Sequence, residues 1–190
     1  MFLLKSLSRL PLGLLYVLTD CLYLLVYRLG GFRRGLSLDN LRRSFPQKSE
    51  AELEDVARQS YHNAFDMIAE VVRGASIPPE QIRRRMVIRN LEVLAPQLTA
   101  NKPVVLLASH HCNWEWLLLA ACLELKVSVD AVYKPLRVAA VDRFMFETRS
   151  RFGGNPIAVK NFLVEVMKRR TSARIFALRS EEHTSELQSH

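Results

Sequence analysis

Apolar and polar residues follow three rhythms along the 190-residue chain. A long apolar run comes first, Leu10 to Leu29 (LPLGLLYVLTDCLYLLVYRL), broken near its middle by Thr19 and Asp20. Two amphipathic stretches with helical spacing follow. One covers Leu36 to Phe45 and is closed by Pro46; the other runs from Ser49 to about Arg73 and is stopped by Gly74. Ser49 with Glu52 three residues later is a capping box, which predicts the start of that longer helix. From Pro78 onward the pattern shortens. A basic helix start (EQIRRR) leads to alternating short apolar runs and amphipathic stretches. Met86–Arg89, Pro103–Ala108, Lys126–Tyr133, Ile157–Val159 and Ala173–Leu178 predict strands. The stretches from Leu91 to Leu98, from Asn113 through WEWLLLAACLEL, from Val138 to Phe152 and from Asn161 to Arg170 predict helices. Alternation of this kind predicts an α/β fold, a mostly parallel sheet covered by helices on both faces.

As a helix, the first run would reach about 30 Å, enough to cross a hydrocarbon core. Pro11, Gly13 and Asp20 weaken that reading, and Lys5, Arg9, Arg28, Arg33 and Arg34 put positive charge on both flanks. A helix lying in the membrane interface accounts for the same features and is the expectation here, with spanning and signal-peptide readings as its competitors. Tyr16, Tyr23 and Tyr27 form either an interfacial stripe or a packing stripe. Residues 1–30 are thus expected to be a membrane anchor and 31–178 one domain.

The densest chemistry lies where the strand Pro103–Ala108 gives way to the next helix, in the stretch LLASHHCNWEW. Open α/β sheets place their sites at such strand ends. His110 and Glu115 stand in an H-x4-E spacing across the turn. A carboxylate that accepts the Nδ1 proton of an imidazole fixes its tautomer and leaves Nε2 to take a proton from a hydroxyl. No G-x-S-x-G elbow accompanies the pair, so the chemistry expected is direct transfer to a bound hydroxyl. The bland alternative is a histidine at the strand end and a glutamate favoured by the helix dipole. No metal is expected: His110, His111 and Cys112 are consecutive and cannot all face one ion, and no C-x-x-C or H-x-x-x-H pair is present. His62, in the long amphipathic helix, reads as packed or solvent-facing, without partners nearby in sequence.

The turn HHCNWE, its preceding strand, Tyr133-Lys134-Pro135 and the segment Asp142 to Arg149 together resemble the lipid A biosynthesis acyltransferase family, the late acyltransferases. LPLGLLYVLTDCLYLLVYRLGGFRR and NLRRSFPQKSEAEL resemble that family's membrane-anchor region. The resemblance implies a glycerolipid acyltransferase-like fold and transfer of a fatty acyl chain from an acyl thioester to a lipid A precursor. His110 would be the general base and Glu115 its orienting partner. Asn113 would be a helix cap or an oxyanion donor, and Lys134 and Arg149 would contact substrate near the cleft. For Arg149 the bland reading is a surface residue paired with Glu147 or Asp142. The implied partners are acyl carrier protein, a lipid A precursor and the cytoplasmic face of the inner membrane. No cofactor is implied beyond acyl carrier protein or coenzyme A as the acyl carrier. The alternatives are a membrane-associated hydrolase using the same dyad and a non-catalytic, basic membrane-surface module.

Composition adds two constraints. The last twelve residues (RSEEHTSELQSH) lack periodicity and match a translated sequencing-adapter oligonucleotide, so 179–190 are expected to lie outside the fold, with the family's C-terminal part missing. Without them 26 basic and 16 acidic residues remain, a net charge of +10. That excess suits anionic lipid or an acidic protein. Nucleic acid is disfavoured, because the basic residues occur in short pairs within amphipathic segments and no recognition motif accompanies them. Arg83-Arg84-Arg85 is either a solvated face or a contact for lipid phosphates or an acidic carrier. Three cysteines, at 21, 112 and 122, allow no even disulfide framework and suit reduced thiols in the cytoplasm.

Overall fold

The computed structural model describes residues 1–29, 34–109 and 112–179, and the chain divides into two compact units: residues 9–73, and residues 1–8 together with the chain from Gly74 onward.

The helical unit holds α2 (Leu12–Leu29), α3 (Arg34–Ser44) and most of α4 (Glu50–Gly74). Helix α2 starts two residues later than the apolar run, because Pro11 lacks the N–H a helix interior needs. The capping box forms: Glu52 accepts from the Ser49 N–H at 2.8 Å, and its own N–H donates to Ser49 Oγ at 3.4 Å. Leu38, Leu53 and Ala57 make a small core with Leu41 packed on it. Arg42 ties α3 to α4 through Glu50, with Nε and Nη2 at 2.9 and 2.8 Å. The tyrosines of α2 pack. Tyr23 is buried, with its ring 5.9 Å from Phe65, and Tyr27 meets Tyr61 at 6.2 Å. Leu14, Val17, Leu18, Leu22, Leu24 and Leu25 leave the other side of α2 exposed. Among the described residues no helix is long and apolar enough to cross a membrane.

His62 corrects the sequence reading. Its Nε2 lies 2.9 Å from Asp20 on α2 and its Nδ1 3.3 Å from Asp66, one turn on in α4. Asp20, the charge that interrupts the apolar run, therefore faces an imidazole within the unit. Burial, and after it the nearby Asp20 and Glu70 carboxylates, push the Asp66 carboxyl above its ordinary value, with His62 opposing.

The second unit is α/β, as expected. It begins with α1 (Phe2–Leu7), which the sequence pattern did not suggest, and continues with α5 (Pro79–Arg85). Two expected elements change. Among the described residues Met86–Arg89 pairs with no strand; Val87 is exposed, and Asn90 turns the chain with a left-handed φ of 58°. The helix expected over Leu91–Leu98 is split into a 3-10 turn, Leu91–Leu94, and a short α6, Ala95–Thr99, with Pro96 in its first turn.

Thereafter come β1 (Pro103–Ala108), α7 (Trp114–Glu124), β2 (Ser128–Tyr133), α8 (Ala139–Arg149), β3 (Gly154–Ala158), α9 (Phe162–Arg169) and β4 (Arg174–Arg179). All pairings are parallel and the strand order is β1-β4-β2-β3. Right-handed crossovers put α7 and α8 on one face, while α9, returning from β3 to β4, lies on the other. Phe162 of α9 accordingly meets Phe176 of β4 at 6.0 Å. Val105 of β1 is in register with Phe176, yet Val105 and Leu107 are exposed, so α9 does not cover the sheet as far as its β1 edge. Helix α8 ends three residues before its predicted limit because Gly153, at φ 85°, turns the chain into β3.

An unforeseen ionic cluster lies within the sheet. Asp130 is fully buried and accepts from Arg169 Nη1 at 3.0 Å, Arg174 Nη1 at 2.5 Å and Asn155 Nδ2 at 2.8 Å. A buried carboxylate is tolerable only with its acceptor sites filled.

Candidate functional site

Strand β1 and helix α7 meet at the turn that the sequence singled out. His110 and His111 lie outside the described residues. Cys112, next in line, has a left-handed φ of 51°, a conformation that strains a residue with a Cβ. Asn113 then caps α7, its Oδ1 accepting the Trp116 N–H at 2.9 Å. Of the two roles open to Asn113 the structure displays the cap, and it commits that oxygen to the backbone.

The cap fixes the first turn of α7, and with it Glu115. An acidic residue there is favoured by the helix dipole, but Glu115 is also buried, at 7% exposure. A buried carboxylate needs a partner, and Arg149, in the last turn of α8, supplies it. Arg149 Nε donates to Glu115 Oε2 at 2.9 Å and Nη2 donates to Oε1 at 2.6 Å. Charge-assisted hydrogen bonds of this kind are roughly twice as strong as neutral ones, and the paired fork-to-fork geometry fixes the orientation of both groups. Arg149 is therefore neither a surface residue nor a partner of Glu147 or Asp142. Glu147 instead pairs with Lys5 at 2.6 Å and Arg143 at 3.1 Å, whose hydrogen bonds hold its carboxyl below the usual range. Asp142 accepts the Leu136 N–H at 2.8 Å, tying the loop after β2 to the start of α8.

Tyr133, the last residue of β2, completes the group. The Arg149 guanidinium carbon lies 5.2 Å from the centre of its ring, within cation–π range. Burial pushes the Tyr133 phenol above its ordinary value, with Asp142 adding to the effect and Arg149 opposing it. The phenol is thus a neutral hydroxyl throughout the physiological range. Lys134 follows it, exposed, on the rim.

The structure therefore gathers Glu115, Arg149 and Tyr133, uses Asn113 to set the helix that presents Glu115, and leaves Lys134 at the edge. Tyr133 is the member the sequence did not assign a role; its position at a strand's carboxyl end was the available signal. Each carboxylate oxygen has a second lone pair, so Glu115 can accept from an imidazole as well as from Arg149. Glycine at 154 permits the arrangement: a Cβ there would come within 2.3 Å of the Arg149 carbonyl oxygen and 3.0 Å of Cys122 Sγ.

Elsewhere among the described residues, Asp20, His62 and Asp66 offer donor atoms within 4.8 Å of one another, close enough to share a metal ion. Both ring nitrogens of His62 already face carboxylate oxygens, which is the geometry of an internal ion pair.

Comparison with known proteins converges on one family. The profile of the bacterial lipid A biosynthesis acyltransferases matches residues 1–185. Over 83 residues the chain is 32% identical to the lipid A biosynthesis myristoyltransferase of Escherichia coli (strain K12), and it is 32% identical to lipid A biosynthesis acyltransferase 1 of Shigella flexneri. The aligned segment is 44% of this chain and 26% of each relative, so the match spans about a quarter of their length.

Proposed function

Because the chain belongs to the bacterial lipid A biosynthesis acyltransferase family, we propose that it moves a fatty acyl group from an acyl thioester to a hydroxyl of a lipid A precursor at the cytoplasmic face of an inner membrane. The observation that carries this reading is the buried Glu115 carboxylate, gripped by Arg149 five positions after His110 at the end of a parallel strand. A carboxylate fixed in this way is suited to holding an imidazole in one tautomer.

In the proposed reaction Glu115 accepts the Nδ1 proton of His110, and His110 Nε2 takes the proton of the acceptor hydroxyl as its oxygen attacks the thioester carbonyl carbon. The tetrahedral intermediate collapses by breaking the carbon–sulfur bond. The proton held on His110 passes to the departing thiolate, leaving an ester and a free thiol. Arg149 acts through Glu115, fixing its orientation and balancing its charge. Residues of the basic rim, Lys134 among them, would meet the phosphates of the acceptor. The donor is proposed to be acyl carrier protein, whose acidic surface the chain's positive charge suits. The reaction as written draws on no other cofactor.

Thioester consumption separates transfer from hydrolysis. With acyl carrier protein loaded with a radiolabelled acyl chain, release of free thiol should require the lipid A precursor and should place the label in the lipid. Equal thiol release without lipid would make the protein a hydrolase. Lipid binding with no turnover would make it a binding module.

A further inference from the structure

We propose that the loop after β2, residues 134–138, together with the outward face of α8, is a membrane-docking surface that seats the rim of the site on an anionic bilayer. The inference rests on the acyl-transfer reading and adds where the lipid surface is met.

The loop reads Lys-Pro-Leu-Arg-Val, and its apolar side chains point away from the protein: Leu136 is 45% exposed and Val138 60%. A soluble loop at a strand end is normally polar, whereas here two exposed aliphatic residues flank Arg137. On α8, Ala139, Arg143 and Phe146 share one face by their spacing of four and three, and Phe146 is 42% exposed. Phe144, Met145 and Thr148 of the same helix are buried, so the exposed phenylalanine is not needed for the core.

Charge chooses the occupant. Lys134 and Arg137 are interleaved with the apolar residues of the loop, whereas the acids of the region are engaged: Asp142 accepts the Leu136 N–H, and Glu147 pairs with Lys5 and Arg143. Aliphatic side chains set among cations, with no unengaged acid between them, match the boundary between acyl chains and anionic headgroups. An acidic protein would complement the cations but would leave Leu136 and Val138 without an apolar partner. The loop begins one residue after Tyr133, whose ring lies beneath Arg149, so docking would bring the lipid surface to the rim of the site.

The test places an encoded environment-sensitive fluorescent residue at Val138 or, in a second protein, at Lys126, an exposed residue at the opposite end of β2. Each is mixed with vesicles of phosphatidylcholine containing roughly a third phosphatidylglycerol, and with phosphatidylcholine alone. The expected result is a blue shift and a severalfold gain in emission at 138 with the anionic vesicles, little change with the neutral ones, and none at 126. Arg137→Ala should weaken vesicle binding roughly fivefold, since each basic residue near such a surface contributes about 1 kcal/mol. An unchanged signal at 138, whether or not the protein sediments with the vesicles, overturns the proposal, as does equal insertion into neutral vesicles. Insertion at 138 by a protein that transfers no acyl group leaves the docking surface standing and removes the transfer reading.

Discussion

Arg149 grips Glu115 through two parallel hydrogen bonds of 2.9 and 2.6 Å, joining the last turn of α8 to the first turn of α7 with both side chains nearly out of solvent. Removing one member of such a pair leaves the other charged and buried, at a cost of about 3–5 kcal/mol. Arg149→Ala should lower unfolding stability by about that amount in a denaturant titration. It should also reduce kcat by roughly 100-fold while leaving KM for the lipid nearly unchanged, because its proposed action is on Glu115. Arg149→Lys should restore only part of the activity, since an ammonium cannot make the paired bonds. A rise in KM with kcat preserved would instead make Arg149 a substrate clamp.

Asn113 offers a way to separate a cap from an oxyanion donor. Loss of an N-cap costs about 1 kcal/mol, whereas loss of an oxyanion donor costs roughly 100- to 1000-fold in kcat. Asn113→Ala should cost stability of that order and Asn113→Asp or Asn113→Ser should recover it, with kcat for all three within roughly tenfold of the parent.

Gly154→Ala places a methyl group against the Arg149 carbonyl, with no flexible side chain to yield. The end of α8 must move, and the Arg149 guanidinium with it. Both melting temperature and kcat should fall, whereas Gly13→Ala, with open space around it, should leave both nearly unchanged.

The three thiols should differ in reactivity. Burial pushes Cys122 up to about 11, so at pH 8 it is protonated as well as shielded; Cys21 and Cys112 are exposed. Iodoacetamide at pH 8 should modify the two exposed thiols first, and mass spectrometry should find Cys122 alkylated only after denaturation. Rapid labelling of Cys122 in the folded protein would contradict its packing beside Gly154.

What was legible in the sequence follows from how local each signal was. The strands β1, β2 and β4, the helix α7 and the capping box of α4 were marked by period, length and cap residues within a few positions. Glu115 was legible because strand, turn and helix met beside it. Its bond to Arg149 was not, since 34 residues and a β-strand separate the two and only packing of α7 against α8 brings them together. The same applies to Asp130, which looked like one polar position in an alternating strand until Arg169 and Arg174 arrived from the far end of the unit. Asp66 was a different failure: it stands four residues from His62 on the same helix, within reach of a periodicity argument that stopped at apolar residues. MVIR has strand composition but, among the described residues, no neighbour to pair with, and composition cannot supply one.

In the proposed mechanism His110, oriented by Glu115, is the general base for acyl transfer. The most direct measurement is transfer of a radiolabelled acyl chain from acyl carrier protein to a lipid A precursor by the protein and by its His110→Ala variant, each first confirmed as folded by circular dichroism. The parent should label the lipid, and the variant should lose at least about 100-fold in rate, the range expected for a general base. A folded variant that transfers at close to the parent rate would contradict the dyad and leave His110 a structural residue.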